Sequence, residues 1–213
     1  MAISAMENEL NAVADCYADG ERAEMIRFQR LRAVLLAPVL KVLNKLHITA
    51  NHITLLSFLT GMCFCAFWWQ FQVWAMFCLL LHVLLDGLDG PVARHQGTAS
   101  ARGSLTDSMC DQLVVTASMI CLMVSEHVTI ISGAIYIFTY AMVVAFAMIR
   151  NALERPYSWL LRPRFFVYIL LAADVFWLRE LGWNYSLEYL LWGCNLVLSV
   201  KMASGFFAIR RAI

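Results

Sequence analysis

Two apolar stretches joined by a short polar connection decide the fold: residues 73–94 read VWAMFCLLLHVLLDGLDGPVAR, and residues 104–125 read SLTDSMCDQLVVTASMICLMVS. Each stretch has the roughly 20 residues that an α-helix needs to cross the hydrocarbon core of a bilayer. The first carries two aspartates near its end, and the second carries two near its beginning. We therefore predict two antiparallel spanning helices whose four aspartates lie at the same membrane face.

The composition of the whole chain extends this prediction to an all-α integral membrane protein. Of its 213 residues, 62% are hydrophobic and only 15% are charged, which is too little charge to cover a soluble domain of this size. Six segments approach the length of a span, and we place them at 52–71, 73–94, 104–125, 128–149, 165–182 and 187–208. The fifth is the weakest, because Asp174, Arg179 and Glu180 interrupt it.

The N-terminal region differs in character from these segments. Residues 1–20 are polar and acidic, and we expect a mobile cytoplasmic tail there. In residues 21–46, apolar side chains recur every three or four positions among arginines and lysines, which indicates an amphipathic helix in the headgroup region, bent at Pro38. The alternative is a helix packed on the protein's own surface. Residues 47–213 then form the six-helix transmembrane domain.

The basic residues predict how the chain is oriented. With the N-terminus inside, all lysines and arginines except Arg179 and Lys201 fall at the inner side, where membrane proteins concentrate positive charge. We therefore expect both termini and the aspartates to face the cytoplasm, in a bacterial plasma membrane. A net charge of +1 offers no basic field for nucleic acid, and the seven cysteines show no zinc-binding spacing.

The four aspartates are the candidate site. Asp86 and Asp89 are three residues apart, and Asp107 and Asp111 are four apart, so each pair projects from one face of its helix. Four carboxylates that converge near a bilayer repel one another and cannot all stay ionised without a cation. Such oxygen ligands favour Mg²⁺ or Mn²⁺, and four of them can hold two ions. The alternative is that they cap helices or pair with nearby arginines.

The residues around the aspartates complete a longer motif. It reads Asp86-x-x-Asp89-Gly90-x-x-Ala93-Arg94, then eight residues, then Gly103-x-x-x-Asp107-x-x-x-Asp111. The motif resembles, position for position, the signature of the CDP-alcohol phosphotransferase family. Under this resemblance, the small residues would let a nucleotide approach closely, and the arginine would offer a planar charged fork to a diphosphate. The glycines are alternatively helix-packing contacts. A second stretch, TANHIT at 49–54, resembles that family's T-P-N-x-x-T with alanine in place of proline.

This resemblance implies a metal-dependent enzyme that transfers a phosphate-linked group from a CDP-activated donor to an alcohol and releases CMP. It also implies a homodimer. The four aspartates, Asp86, Asp89, Asp107 and Asp111, would bind the metal ions, and Asp111 would also be the general base for the acceptor's hydroxyl. The expected contacts to the nucleotide and its diphosphate are Asn51, Gly90, Ala93, Arg94 and Gly103. Asn51 is alternatively a plain helix N-cap.

The donor and the acceptor follow from weaker signals. A short chain with six spans favours CDP-diacylglycerol as donor and a small polar alcohol, phosphorylated or not, as acceptor. Transfer from a CDP-aminoalcohol to diacylglycerol, the alternative, is typical of longer relatives. The connection after the fourth span carries Arg150, Arg155, Arg162 and Arg164, either as a solvated positively charged loop or as a pocket for an anionic acceptor. Of these, Arg150, Arg155 and Arg162, together with Lys201, are the candidate acceptor-binding residues. For Lys201, an ion pair with Asp174 is the first interpretation.

Two further alternatives concern the site as a whole. His82, one helical turn before Asp86, is either a packing residue or a contact of the metal site. A protein of another class, a non-enzymatic cation-binding or cation-conducting membrane protein, would also use clustered aspartates. That class gives no reason for the glycines, alanine and arginine that surround the aspartates in the motif.

Overall fold

Helices joined by short turns make up the part of the chain that the computed structural model describes, residues 35–153, 157, 163–183 and 185–212. These residues contain no β-strand, and the predicted all-α class is confirmed for them. The main helices are α1 (Ala50–Trp68), α2 (Gln72–His95), α3 (Ala101–Val124), α4 (Ile130–Ala152), α5 (Arg164–Ala173) and α6 (Ser186–Arg210). A five-residue π-helical turn, Asp174–Leu178, continues α5.

Five helices of the described residues are long and apolar enough to cross a membrane: α1, α2, α3, α4 and α6. They correspond to five of the six predicted spans. The remaining predicted span, 165–182, is a shorter unit that consists of α5 and the π-helical turn, and six spans are therefore not confirmed. The regular helix α5 ends at Ala173, directly before Asp174, which is the first of the charged residues that weakened this prediction.

An ion pair accompanies the π-helical turn. Asp174 is buried, and its Oδ2 accepts a hydrogen bond from Arg179 Nε at 3.0 Å. A π-helix bonds each N–H to the carbonyl five residues earlier, and the Arg179 N–H approaches the Asp174 carbonyl at 3.4 Å. The prediction of an ion pair between Asp174 and Lys201 is wrong. The carboxylate of Asp174 pairs instead with Arg179, one π-helical turn along the same segment.

Only part of the predicted N-terminal helix can be described. Residues 1–20 and 21–34 lie outside the described residues, and residues 35–45 are helical through Pro38. Leu40 packs in a small apolar cluster with Ile53 of α1 and Val92 of α2. Several leucines and valines of this segment are exposed, so part of its apolar surface is not covered by the described residues. Its position in the headgroup region stays a prediction.

Helix α1 lies between α2 and α3 and packs against both, whereas α2 and α3 make little direct contact with each other. Small residues on α1 permit this arrangement. A Cβ atom placed on Gly61 would lie 2.6 Å from a methyl group of Val114 in α3 and 3.2 Å from His82 Nδ1 in α2. Close approach at small residues is a common way for spanning helices to associate, and here it leaves room between the aspartates of α2 and α3.

Polar contacts join the helices at the end of the bundle that lies away from the aspartates. Glu188 of α6 accepts hydrogen bonds from the Thr129 N–H at 2.9 Å and from Ser132 Oγ at 2.9 Å, at the start of α4. A carboxylate at a helix N-terminus satisfies free N–H groups and complements the helix dipole. Trp68 Nε1 donates to Ser125 Oγ at 2.8 Å and so ties the end of α1 to the end of α3.

The close approach at Gly61 yields a stability prediction. Gly61→Ala should lower the free energy of unfolding by about 1–3 kcal/mol, because the added methyl group overpacks the contact with Val114. A lower Tm of the purified protein in detergent would show this. Gly193→Ala in α6 is the matched control, since nothing lies within 4 Å of the added Cβ. An unchanged Tm for Gly61→Ala would contradict the packing of α1 on α3.

Candidate metal centre

Three of the four aspartates form one group. Asp86, Asp89 and Asp107 each offer a carboxylate oxygen, and these oxygens lie within 4.8 Å of one another. The first two residues lie in the last turns of α2 and the third in the first turns of α3. Carboxylate oxygens from two helices around a common space are the donors that Mg²⁺ and Mn²⁺ prefer. The side chains present therefore fit a divalent cation.

Asp111 lies beside this group but has different neighbours. Its Oδ2 pairs with Arg164 Nη1 of α5, and its Oδ1 lies 3.9 Å from His82 Nε2. The same guanidinium donates through Nη2 to Asp86 Oδ2 at 2.8 Å. Arg164 is only 3% exposed. A buried arginine thus joins Asp111 to the three-carboxylate group, while the metal-ligand role of Asp111 stays a prediction.

The pairing of Arg164 with the aspartates was not predicted, although the sequence contains a signal for it. Arg164 is the first residue of α5, directly after Pro163. A helix N-terminus carries positive partial charge, and arginine is almost never fully buried unless it is paired. A buried arginine at the start of an apolar helix therefore requires an acidic partner. The interpretation that aspartates pair with arginines applies to Asp86 and Asp111.

Thr54 is a second contact that sequence reasoning missed. Its Oγ1 donates to Asp89 Oδ2 at 2.8 Å, and the Gly90 N–H donates to the other oxygen of the same carboxylate. Asp89 is therefore oriented through both oxygens and is only 7% exposed. Thr54 is the last residue of the TANHIT stretch, so that stretch brings α1 to the aspartate group.

His82 is buried between α1 and Asp111. It is 2% exposed, and its Nδ1 lies 2.9 Å from Ser57 Oγ and 3.1 Å from the Ser57 carbonyl oxygen. Its other ring nitrogen faces Asp111. The histidine therefore packs in the core and, at the same time, adjoins the site through Asp111.

The predicted nucleotide contacts lie at the same end of the bundle. Arg94 folds back along α2, so that a Cβ on Gly90 would lie 3.4 Å from its Nη1. Gly103 lies in the first turn of α3, where its N–H donates to Ser100 Oγ at 3.1 Å. Ala93 is half-buried. The position of these residues is compatible with a nucleotide beside the aspartates, and their contact with one stays a prediction.

Asn51 is exposed near the start of α1. The N-cap of this helix is Thr49, whose N–H donates to His52 Nδ1 at 3.3 Å. The alternative that Asn51 is the N-cap is therefore wrong, because the helix begins one residue earlier, at Ala50. Its side chain is left available at the end of the bundle that carries the aspartates.

Two of the four predicted acceptor residues can be located. Arg150 Cζ lies 4.1 Å from the ring centroid of Tyr157, and Lys201 Nζ lies 5.6 Å from it. The Tyr157 hydroxyl donates to the Lys201 carbonyl at 3.1 Å, which joins the connection after α4 to α6. Burial raises the pKa of Tyr157, and Arg150 acts in the opposite direction. Arg155 and Arg162 lie outside the described residues.

Comparisons with known proteins identify the family. Residues 47–200 match the family model for CDP-alcohol phosphatidyltransferase. The chain belongs to the CDP-alcohol phosphatidyltransferase family. The family predicted from the aspartate motif is thus confirmed. This chain is similar to a phosphatidylinositol phosphate synthase of Corynebacterium glutamicum. The two are 27% identical over 147 residues, which cover 58% of this chain and 64% of that relative.

The hydrogen bond from Thr54 yields a prediction about cation affinity. Thr54→Val should weaken Mn²⁺ binding roughly tenfold, because hydrogen bonds to a ligating carboxylate orient it for the metal. Electron paramagnetic resonance of Mn²⁺ added to the purified protein measures this affinity. Thr60→Val is the matched control in the same helix, since Thr60 Oγ1 donates only to the Ser57 carbonyl. Equal affinities for the two variants would contradict a role of Thr54 at the metal centre.

Proposed function

We propose that the protein transfers the phosphatidyl group of CDP-diacylglycerol to the hydroxyl of a small polar alcohol, with release of CMP, in phospholipid synthesis. The observation that carries this proposal is the group of Asp86, Asp89 and Asp107 within a chain that matches the family model. Similarity to a phosphatidylinositol phosphate synthase supports a phosphorylated polyol, such as an inositol phosphate, as the acceptor.

The aspartates would hold the divalent cations. Asp86, Asp89 and Asp107 form the group that accommodates one ion, and Asp111 would complete a site for two, with Mg²⁺ or Mn²⁺ as the ions. When bound, such cations neutralise the diphosphate of the donor and stabilise the leaving CMP. Thr54 supports this role by holding Asp89 in place.

The other site residues act on the two substrates. Arg94 offers its charged fork to the diphosphate, with Asn51, Gly90, Ala93 and Gly103 around the nucleotide. Asp111 accepts the proton of the acceptor hydroxyl as general base. The acceptor oxygen then forms a bond to the phosphorus of the phosphatidyl group, and the bond from that phosphorus to the oxygen of CMP breaks. CMP leaves with the electron pair of that bond.

Basic side chains around Tyr157 suit an anionic acceptor. Arg150 and Lys201 both contact the ring of Tyr157, so that positive charge from α4 and α6 is concentrated near this residue. Arg155 and Arg162 lie in the same connection of the chain and belong to the same proposed acceptor region. Phosphate esters are well recognised by such groups of arginine and lysine.

The membrane arrangement is part of the proposal. The distribution of basic residues supports an active site and termini that face the cytoplasm of a bacterial cell, in the plasma membrane. A homodimer is proposed from family membership. The cytoplasmic face gives access to CDP-diacylglycerol in the bilayer and to a water-soluble acceptor.

An assay for CMP release tests the proposed function. The purified protein should release CMP from CDP-diacylglycerol when Mg²⁺ or Mn²⁺ and the right alcohol are present, and a chelator should abolish the release. The alcohols to compare are inositol phosphate, glycerol phosphate, inositol and serine, together with diacylglycerol plus a CDP-aminoalcohol for the reverse arrangement. Mn²⁺ binding without CMP release from either donor would favour the cation-binding alternative.

Two substitutions separate the proposed roles of the aspartates. Asp111→Asn should lower kcat by roughly 10²–10⁴-fold, because the amide cannot accept the hydroxyl proton, while donor binding is largely retained. Asp89→Asn should instead raise the Mn²⁺ concentration that gives half-maximal activity. The control is Glu180→Gln, because Glu180 is an exposed acidic residue far along the chain from the site. Near-normal rates for both aspartate variants would show that the role assignment is wrong.

A further inference from the structure

Arg164 is a buried cation inside an acidic cluster. Its guanidinium contacts carboxylates of two different helices, Asp86 of α2 through Nη2 and Asp111 of α3 through Nη1. It is 3% exposed, so little water screens these contacts. Because Arg164 is the first residue of α5, the two contacts also hold the start of α5 against the aspartate-bearing ends of α2 and α3.

Asp86 takes part in two arrangements. It belongs to the three-carboxylate group that fits a divalent cation, and its Oδ2 also accepts the 2.8 Å hydrogen bond from Arg164. Two cations at one carboxylate repel each other, and the repulsion is strong where the dielectric constant is low. A cation that binds Asp86 or Asp111 therefore meets a carboxylate that already contacts the positive charge of the arginine.

We propose that Arg164 is the internal counter-cation of the four-aspartate cluster and that divalent cations compete with it for Asp86 and Asp111. The inference rests on the proposed metal centre. Without a divalent cation, the guanidinium offsets part of the repulsion among the carboxylates and keeps α5 docked. Cation binding loosens these ion pairs and frees the guanidinium fork for phosphate oxygens, which suit its geometry.

Competition and a supporting role predict opposite changes in metal affinity when Arg164 is removed. If Arg164 merely oriented Asp86 as a ligand, its removal would weaken metal binding by about 10–100-fold, as loss of an outer hydrogen bond usually does. If Arg164 competes, its removal strengthens metal binding. The coupling between two binding events is commonly 5–150-fold in affinity. On this scale, we expect the Kd for Mn²⁺ to fall about tenfold in Arg164→Gln.

The experiment measures Mn²⁺ binding to the full chain in lipid nanodiscs by electron paramagnetic resonance, without any substrate. The matched control is Arg179→Gln, which breaks the ion pair with Asp174 and should leave the Kd unchanged. A tighter Kd for Arg164→Gln alone supports the proposal. An unchanged or weaker Kd for that variant overturns it. Failure of the wild-type protein to bind Mn²⁺ contradicts the proposed metal centre itself, and with it the competition.

Thermal unfolding provides a second readout. In chelator, Arg164→Gln should have a lower Tm than the wild type, because the carboxylates lose their counter-cation. Added Mn²⁺ should raise the Tm of this variant by more than it raises that of the wild type, since tighter binding stabilises more. An equal rise in both proteins contradicts the competition.

Arg164→Lys covers the case in which Arg164→Gln does not fold without metal. Lysine keeps the charge but is a single point charge that cannot reach both carboxylates as a fork. The variant is prepared in Mn²⁺ and then exchanged into the buffer of the binding measurement. Its Kd for Mn²⁺ should lie below that of the wild type. A Kd equal to or above the wild-type value overturns the proposal.

Discussion

Asp86, Asp89, Asp107 and Asp111 bring like charges together at one end of an apolar helix bundle, where exclusion of water makes their mutual repulsion costly. The surrounding contacts each offset part of this repulsion. The single positive charge of Arg164 contacts two of the carboxylates, and Thr54 and the Gly90 N–H donate hydrogen bonds to a third. The remaining negative charge is what makes the cluster suitable for divalent cations.

The packing of α1 determines how far apart the carboxylates lie. Because α1 contacts both α2 and α3, its small residue Gly61 sets the approach of the two helices that carry the aspartates. Little direct contact between α2 and α3 leaves space between their polar ends. A wider α1 would separate the aspartates, and direct packing of α2 on α3 would close the space that a cation and a diphosphate require.

Among the described residues, both Asp174 and the aspartate cluster pair with arginines, with different consequences. Asp174 and Arg179 are five residues apart, so their ion pair stays within one π-helical turn and satisfies a charge locally. Arg164 and Asp86 are 78 residues apart, and their ion pair joins separate helices. The local pair stabilises one segment, whereas the distant pair makes the docking of α5 depend on the charge state of the site.

The sequence by itself determined the helical class, most of the spans and the aspartate motif, because apolar segments of bilayer length and fixed helical spacings are local properties. It also determined the family through that motif. Only the tertiary structure decided that Arg164 pairs with Asp86 and Asp111, that Thr54 holds Asp89, and that Asp174 pairs with Arg179 rather than Lys201. Three of these four contacts, all but the pair within the π-helical turn, join residues on different helices, and residue spacing within a helix does not determine which side chains of other helices it meets.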